Sequence, residues 1–201
     1  MIYFTSDLHL GHTNIIKHCN RPFNSVDEMN EVIIKNINNM LKPNDELYIL
    51  GDLYFGIRQT ENVFEYAKKI KCNHIHLIKG NHDNSYKDLV KLNDEYKVFE
   101  TISTYKELKY EKRLFVLCHY PFMDNAWNKA RHGSIDIHGH IHSNSDYNKR
   151  QKENGIFRYD VGVDANNYYP VLIDDILKFF EGVEINNKDY HANYEDDEID
   201  D

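Results

Sequence analysis

Five short apolar runs recur along the chain, and each ends in a polar cluster: "MIYFT" before "SDLH", "ELYIL" before "GD", "HIHLI" before "KGNHD", "LFVLC" before "HYP", and "SIDI" before "HGHIH". Runs of four or five aliphatic and aromatic residues bounded by Gly, Asn and Asp predict buried strands. Longer stretches between them keep a helical period. "SVDEMNEVIIKNINNML" sets Met29, Val32, Ile33, Ile37 and Met40 on one face, opens on a capping box from Ser25 to Glu28, and stops before Pro43. "TENVFEYAKKI" sets Val63, Phe64, Ala67 and Ile70 in one stripe behind Thr60 as N-cap. Strands alternating with helices predict parallel βαβ units, whose functional groups collect in loops beyond the carboxyl ends of the strands. The polar clusters stand at those ends.

From about residue 96 the runs shorten, charged "KYEK" reads as a hairpin turn, and a second, mostly antiparallel sheet is expected. "FRYDVGVDANNYYPVLIDDILKFF" adds a strand, a loop and a final helix with Asp174 as N-cap. No repeat or Pro/Gly-rich linker divides the sequence, so one domain over residues 1–190 is expected, followed by a disordered acidic end at 191–201.

With 201 residues the chain suffices for one sizeable core. Its formal charge of −9 is concentrated in the terminal "EDDEIDD", and no Lys/Arg block appears, which argues against a large nucleic-acid footprint. Cys19, Cys72 and Cys118 share no metal-binding or redox spacing and read as reduced thiols. No signal segment or apolar stretch of membrane length is present, so a soluble cytoplasmic protein is expected.

The clusters hold Asp7 and His9, Asp52, Asn81, His82 and Asp83, His119, and His140 and His142. Carboxylate, imidazole and amide oxygens suit divalent cations such as Mn, Fe and Zn. Singly, each cluster also reads as a turn, a helix cap or a buried hydrogen-bonded side chain. Five in succession, each closing a strand, point to one shared site, and the candidate ligands among them, at least seven, exceed what one ion needs. The period of two in "HGHIH" sets His140 and His142 on one side, and Gly139 breaks the alternation before His138, a structural neighbour.

The order "SDLH", "LGDL", "KGNHD", "LCHYP", "HGHIH" resembles the calcineurin-like metallophosphoesterase superfamily, over residues 1 to about 145. The added "GHTNIIKHCNRPF" resembles a small, stand-alone bacterial or phage branch of it. The resemblance implies an α/β fold, a four-layer αββα sandwich of two mixed β-sheets flanked by helices. It implies two divalent cations, manganese first, with iron, zinc, nickel and cobalt as alternatives. Asp7, His9 and His142 would hold one, Asn81, His119 and His140 the other, and Asp52 would bridge them. The implied reaction is in-line attack by a bridging hydroxide on a small phosphomonoester or phosphodiester, a nucleotide among the candidates. His82 would assist the leaving group, with Asp83 as an orienting partner. "GDLYFGIRQ" lacks the Asp and Arg that follow G-D in the phosphoprotein phosphatases of the superfamily, which disfavours a protein substrate. Arg21 and Arg58 are candidate phosphate contacts, and His12 and Asn14 candidate substrate contacts. Asp164 fits a turn or a site equally well. His18, His74, His76 and His191 read as surface or strand positions without partners. A catalytically silent scaffold and a nuclease on larger nucleic acid are the alternative functions.

Overall fold

A computed structural model describes residues 1–55 and 61–186. Arg58, Thr60, His191 and the acidic end lie outside the described residues.

The five expected strands form. A first sheet has the order β4–β3–β2–β1–β9, from β1 (Ile2–Thr5), β2 (Glu46–Ile49), β3 (His74–Ile78), β4 (Phe99–Ser103) and β9 (Val171–Leu172). A second has the order β5–β6–β7–β8, from β5 (Tyr105–Tyr110), β6 (Arg113–Cys118), β7 (Ile135–His138) and β8 (Arg158–Asp160). Both are mixed: β1, β2, β3 and β4 run parallel with β9 antiparallel to β1, and β5–β6 is antiparallel while β6–β7 and β7–β8 are parallel. The expectation of a mostly antiparallel second sheet is therefore corrected, and β4 belongs to the first sheet. Hairpin β5–β6 does turn at Glu111 and Lys112, both at positive φ.

Two-residue periodicity builds the layers. Tyr3, Leu47, Ile49, Ile75 and Leu77 face the helices α2 (Val26–Met40) and α3 (Glu61–Ala67), joining Met29, Ile33, Ile37, Val63 and Phe64 in one core. The alternate residues Phe4, Tyr48, Leu50 and Ile78 face Phe115, Leu117, Ile135 and Ile137 of the second sheet, with Phe4 and Phe115 stacked at 6.2 Å. Strands buried on both faces read as near-continuous apolar runs, as these do apart from His76 in β3 and Asp136 in β7. The last helix, α6 (Ile173–Phe179), adds Ile173 and Ile176 to the second core, giving two mixed sheets flanked by helices.

Ser25 caps α2 by accepting from the Glu28 N–H, while Glu28 Oε2 accepts from the backbone N–H of Asn24, one residue beyond the expected box. Asp174 does not cap α6; it sits inside the first turn and accepts from the Tyr110 hydroxyl at 2.9 Å. Before α2, a short turn α1 (Ile15–His18) starts at Asn14. Two further helices flank the sheets, α4 (Tyr86–Tyr96) and the polar α5 (Asp146–Glu153). His74 and His76 are not partnerless: His74 pairs with Glu100, and His76 is buried against Thr101 Oγ1 at 2.9 Å and stacked on Tyr48. All three cysteines are free. Among the described residues no helix is long and apolar enough to cross a membrane.

Candidate metal centre

Beyond β1 and β2 the parallel pairing continues irregularly, with Asp7 N–H donating to Gly51 O at 3.0 Å and His9 N–H to Asp52 O at 2.9 Å. Beyond β6 and β7, Gly139 N–H donates to His119 O at 3.0 Å. These links gather the polar clusters of both sheets at one edge. The sheets join there through a bridge between Ser6 and Gly162. Asp7, His9, Asp52, His140 and His142 all adopt left-handed backbone, with φ of 57°, 49°, 52°, 72° and 45°. Positive φ is uncommon outside glycine and gathers at functional sites. Gly139 permits the close approach, because a Cβ there would stand 2.0 Å from Ser6 Oγ and 2.3 Å from Asp7 Oδ2.

Ligand-competent atoms converge in two groups. One atom each from Asp7, His9 and His142 lies within 4.8 Å of the others, and so do atoms of Asp7, Asp52 and His119. Asp52 Oδ2 is 3.6 Å from His9 Nε2 and 3.5 Å from His119 Nε2. Each imidazole is turned by a partner on its Nδ1: His119 on Leu50 O at 2.7 Å, His142 on Asp164 Oδ2 at 2.7 Å, and His9 on His12 Nδ1 at 3.3 Å. His119 and His142, whose Nδ1–H groups donate to oxygen, present their Nε2 to the site. His119 Nε2 therefore faces Asn81 Oδ1 at 2.9 Å as acceptor against acceptor. Asp7 Oδ1 and His9 Nε2 are buried without any hydrogen-bond partner. Orphaned buried acceptors are costly, and these nitrogen and oxygen donors fit a divalent cation. His140 lies beside the second group: its ring is 5.0 Å from that of His119, and its backbone N–H donates to Asp7 Oδ2 at 2.9 Å.

Burial dominates the electrostatics. It pushes the Asp7 carboxyl up to about 8, helped by Asp160 and Asp52, although His142 opposes the shift. It lowers His9 to about 2 and His119 to about 4, and raises Asp52 as well. His142 is raised despite its burial because the Asp164 carboxylate accepts its proton-bearing nitrogen.

His82 is exposed at the rim; its backbone N–H donates to Asp52 Oδ1 at 2.8 Å, and its ring lies 5.2 Å from His9 and 5.0 Å from Phe55. Asp83, expected to orient His82, does something else. It is buried, and its carboxylate accepts the backbone N–H groups of Asp52 (2.9 Å), Gly80 (2.7 Å) and Leu53 (3.1 Å), tying the G-N-H-D turn to the G-D turn. His12 stacks on Phe55 at 3.9 Å, beside His9. Asn14 is exposed and starts α1 without a side-chain cap. Arg21, expected as a phosphate contact, is turned inward with its side chain wholly buried and ion-paired to Asp164. His138 is buried, its Nδ1 on Gly139 O and its Nε2 on the Tyr147 hydroxyl.

Two acids outside the expected set support the site. Asp164 receives both Arg21 and His142, so although Cys19, His142 and Asp164 also bring ligand atoms within 4.8 Å, its oxygens are already engaged. Asp160, fully buried at the end of β8, accepts from the Ser143 hydroxyl at 2.5 Å and from Gly162 N–H at 2.7 Å, fixing the loop that carries His142. Asp160 ends "FRYD" and so repeats the strand-then-acid pattern that flagged the others. Tyr120, 47% exposed, forms an aromatic wall 4.8 Å from the His140 ring.

The model of the calcineurin-like phosphoesterase superfamily domain matches residues 1–159. An uncharacterized protein of Methanocaldococcus jannaschii is 36% identical over 185 residues, covering 90% of this chain and 91% of its own length. The gene 66 protein of Mycobacterium phage L5 is 29% identical over 160 residues, covering 70% and 77%. The crystal structure of a protein of unknown function from Aquifex aeolicus superposes with a TM-score of 0.67 at 27% identity, covering 89% of this chain and 98% of the other.

Proposed function

Because the chain belongs to the calcineurin-like phosphoesterase superfamily, a family of metal-dependent hydrolases, we propose that it hydrolyses a small phosphate ester at the edge where its two sheets meet. The observation that carries this reading is the convergence of polar atoms: buried Asp7 Oδ1 and His9 Nε2 without partners, and buried His119 Nε2 against Oδ1 of the exposed Asn81. Two divalent cations, held by Asp7, His9 and His142 and by Asn81, His119 and His140 with Asp52 between, would relieve both. When bound, such a pair neutralises phosphate charge and lowers the pKa of a solvent nucleophile. Asp52 offsets repulsion between the cations. Gly139 lets the Asp7 carboxylate stand against the His140 turn. His82 stands at the open rim, where a departing alkoxide needs a proton, and Phe55 walls that side. The full ligand set favours an enzyme over a silent scaffold.

The test is hydrolysis of mono- and bis-nitrophenyl phosphate by the purified chain with added manganese. Turnover is expected, with His82→Ala lowering kcat by about 10²–10⁴, the range of a general acid. A folded chain inactive toward both esters with Mn, Co, Ni and Zn alike would overturn the proposal.

A further inference from the structure

Two segments lie beside the site without contributing to the expected ligand set: the stretch after the first motif that carries Arg21, and the loop after β8 that carries Asp164. They meet in the interior. Arg21 Nε donates to Asp164 Oδ1 at 2.8 Å and Nη2 to Oδ2 at 2.9 Å, a bidentate pair. The same guanidinium donates from Nη2 to Asp7 O at 2.7 Å and from Nη1 to Leu8 O at 3.0 Å. Asp164 Oδ2 also accepts from His142 Nδ1 at 2.7 Å. One side chain thus fastens the left-handed turn of Asp7 to the carboxylate that orients His142, across 143 residues of sequence.

We propose that Arg21 and Asp164 form a positioning clasp dedicated to the Asp7–His9–His142 half of the centre, setting the affinity of one cation and not the other. The inference rests on the two-cation reading above. Its selectivity follows from the contacts. The Asn81–His119 pair takes its orientation from Leu50 O on His119 Nδ1, and neither Arg21 nor Asp164 bonds either residue; the clasp meets that half only through Asp7, whose Oδ2 accepts the His140 backbone N–H. Outer partners of a ligating histidine fix its tautomer and ring plane, and losing one costs about 10–100-fold in metal affinity. A plain fold-stabilising ion pair would need neither the bond to His142 nor the two carbonyls. The planar fork makes these four bonds at once, with Nη1 also reaching Met29 Sδ at 3.4 Å, which a lysine ammonium on a flexible stem does not reproduce.

The experiment is a manganese titration of the full chain, metal-free, by calorimetry and by paramagnetic resonance of the free ion, with far-UV dichroism as the fold control. The wild-type chain should bind two ions. Asp164→Ala should weaken one by about 10–100-fold and leave the other within about threefold. Arg21→Lys should weaken the same ion, and Asp164→Asn, which keeps an acceptor for His142, should weaken it less. Should Asp164→Ala not fold, Asp164→Asn and Arg21→Lys carry the comparison. Unchanged affinities in folded variants overturn the clasp alone, as does an equal loss at both ions. A wild-type chain that binds no cation overturns the centre and the clasp with it.

Discussion

Replacing Asp83 separates two roles for the aspartate of the G-N-H-D turn. Its carboxylate lies in the interior and satisfies three backbone N–H groups, two on Oδ2 and one on Oδ1. Truncation to alanine strands all three, at about 1–3 kcal/mol for each unsatisfied buried donor. Part of that is offset, because burial holds the Asp83 carboxyl above its ordinary range against the pull of the three donors, so the native carboxylate is itself costly. A net loss of about 3–5 kcal/mol is expected for Asp83→Ala, a large share of a typical stability of about 5–15 kcal/mol. Asp83→Asn can keep its oxygen on Asp52 and Gly80 but turns an amide donor toward Leu53 N–H, for a smaller loss of about 1–3 kcal/mol. Urea unfolding of metal-free protein, followed by far-UV dichroism, measures both. The order Ala worse than Asn, with both below wild type, is the expected result. A shift under 1 kcal/mol for Asp83→Ala, together with a changed pH profile of hydrolysis, would refute the reasoning and return Asp83 to a partnership with His82.

Two further outcomes follow from the buried acids. Burial pushes Asp7 up to about 8, so below that pH an arriving cation must displace its proton. Binding manganese at pH 7 should release about one proton from this group and weaken about tenfold per pH unit below 8, measured by calorimetry in buffers of different ionisation enthalpy; no proton release would contradict it. His9 and His119, lowered to about 2 and about 4, are already neutral there and release none. Arg158 pairs with buried Asp136 at 3.2 Å and with Asp124 at 2.9 Å, holding the loop after His119. Arg158→Met should cost about 3–5 kcal/mol at pH 8, where an unpaired buried carboxylate remains. Burial, opposed by Arg158, pushes Asp136 up to about 7, so the folded chain keeps a proton that the unfolded chain loses above pH 4. That group's contribution to wild-type stability accordingly falls as pH rises from about 4 to 7. At pH 5 Asp136 is already neutral, and the cost of Arg158→Met should be smaller; an equal cost at both pH values would sink the assignment.

The strands and the candidate ligands were legible in the sequence for the same reason. A strand buried on both faces is mostly apolar, so the polar clusters that follow each run mark its end, although His76 inside β3 and Asp136 inside β7 are buried polar exceptions. What lay beyond reach was long-range pairing. "FETIS" carries nothing that tells β4 to join the first sheet, because that choice is made by Phe99 packing on Phe64. The polar α5 has no apolar stripe and is held by Asn148, which bonds the backbone of Asp160 twice. Arg21 looked like a phosphate contact because a conspicuous arginine near ligands is commonly one. Only the fold reveals that its donors are spent on Asp164, two carbonyls and Met29 Sδ.

The left-handed turns show why so much support surrounds so few ligands. Five residues with side chains at positive φ, each worth about 1 kcal/mol or more in strain, stand in succession around two buried carboxylates that burial drives toward protonation. Asp and His tolerate left-handed backbone better than most residues, but that tolerance alone does not hold five of them there. The arrangement persists because the surrounding backbone is fixed from outside: by Asp83 across the turns at Asp52 and Gly80, by Arg21 on the carbonyls of Asp7 and Leu8, and by Asp160 on the loop after β7. The strain and the unpaired acceptors thus coincide, because rigid sheets hold lone pairs together at the point where a cation is proposed to bind.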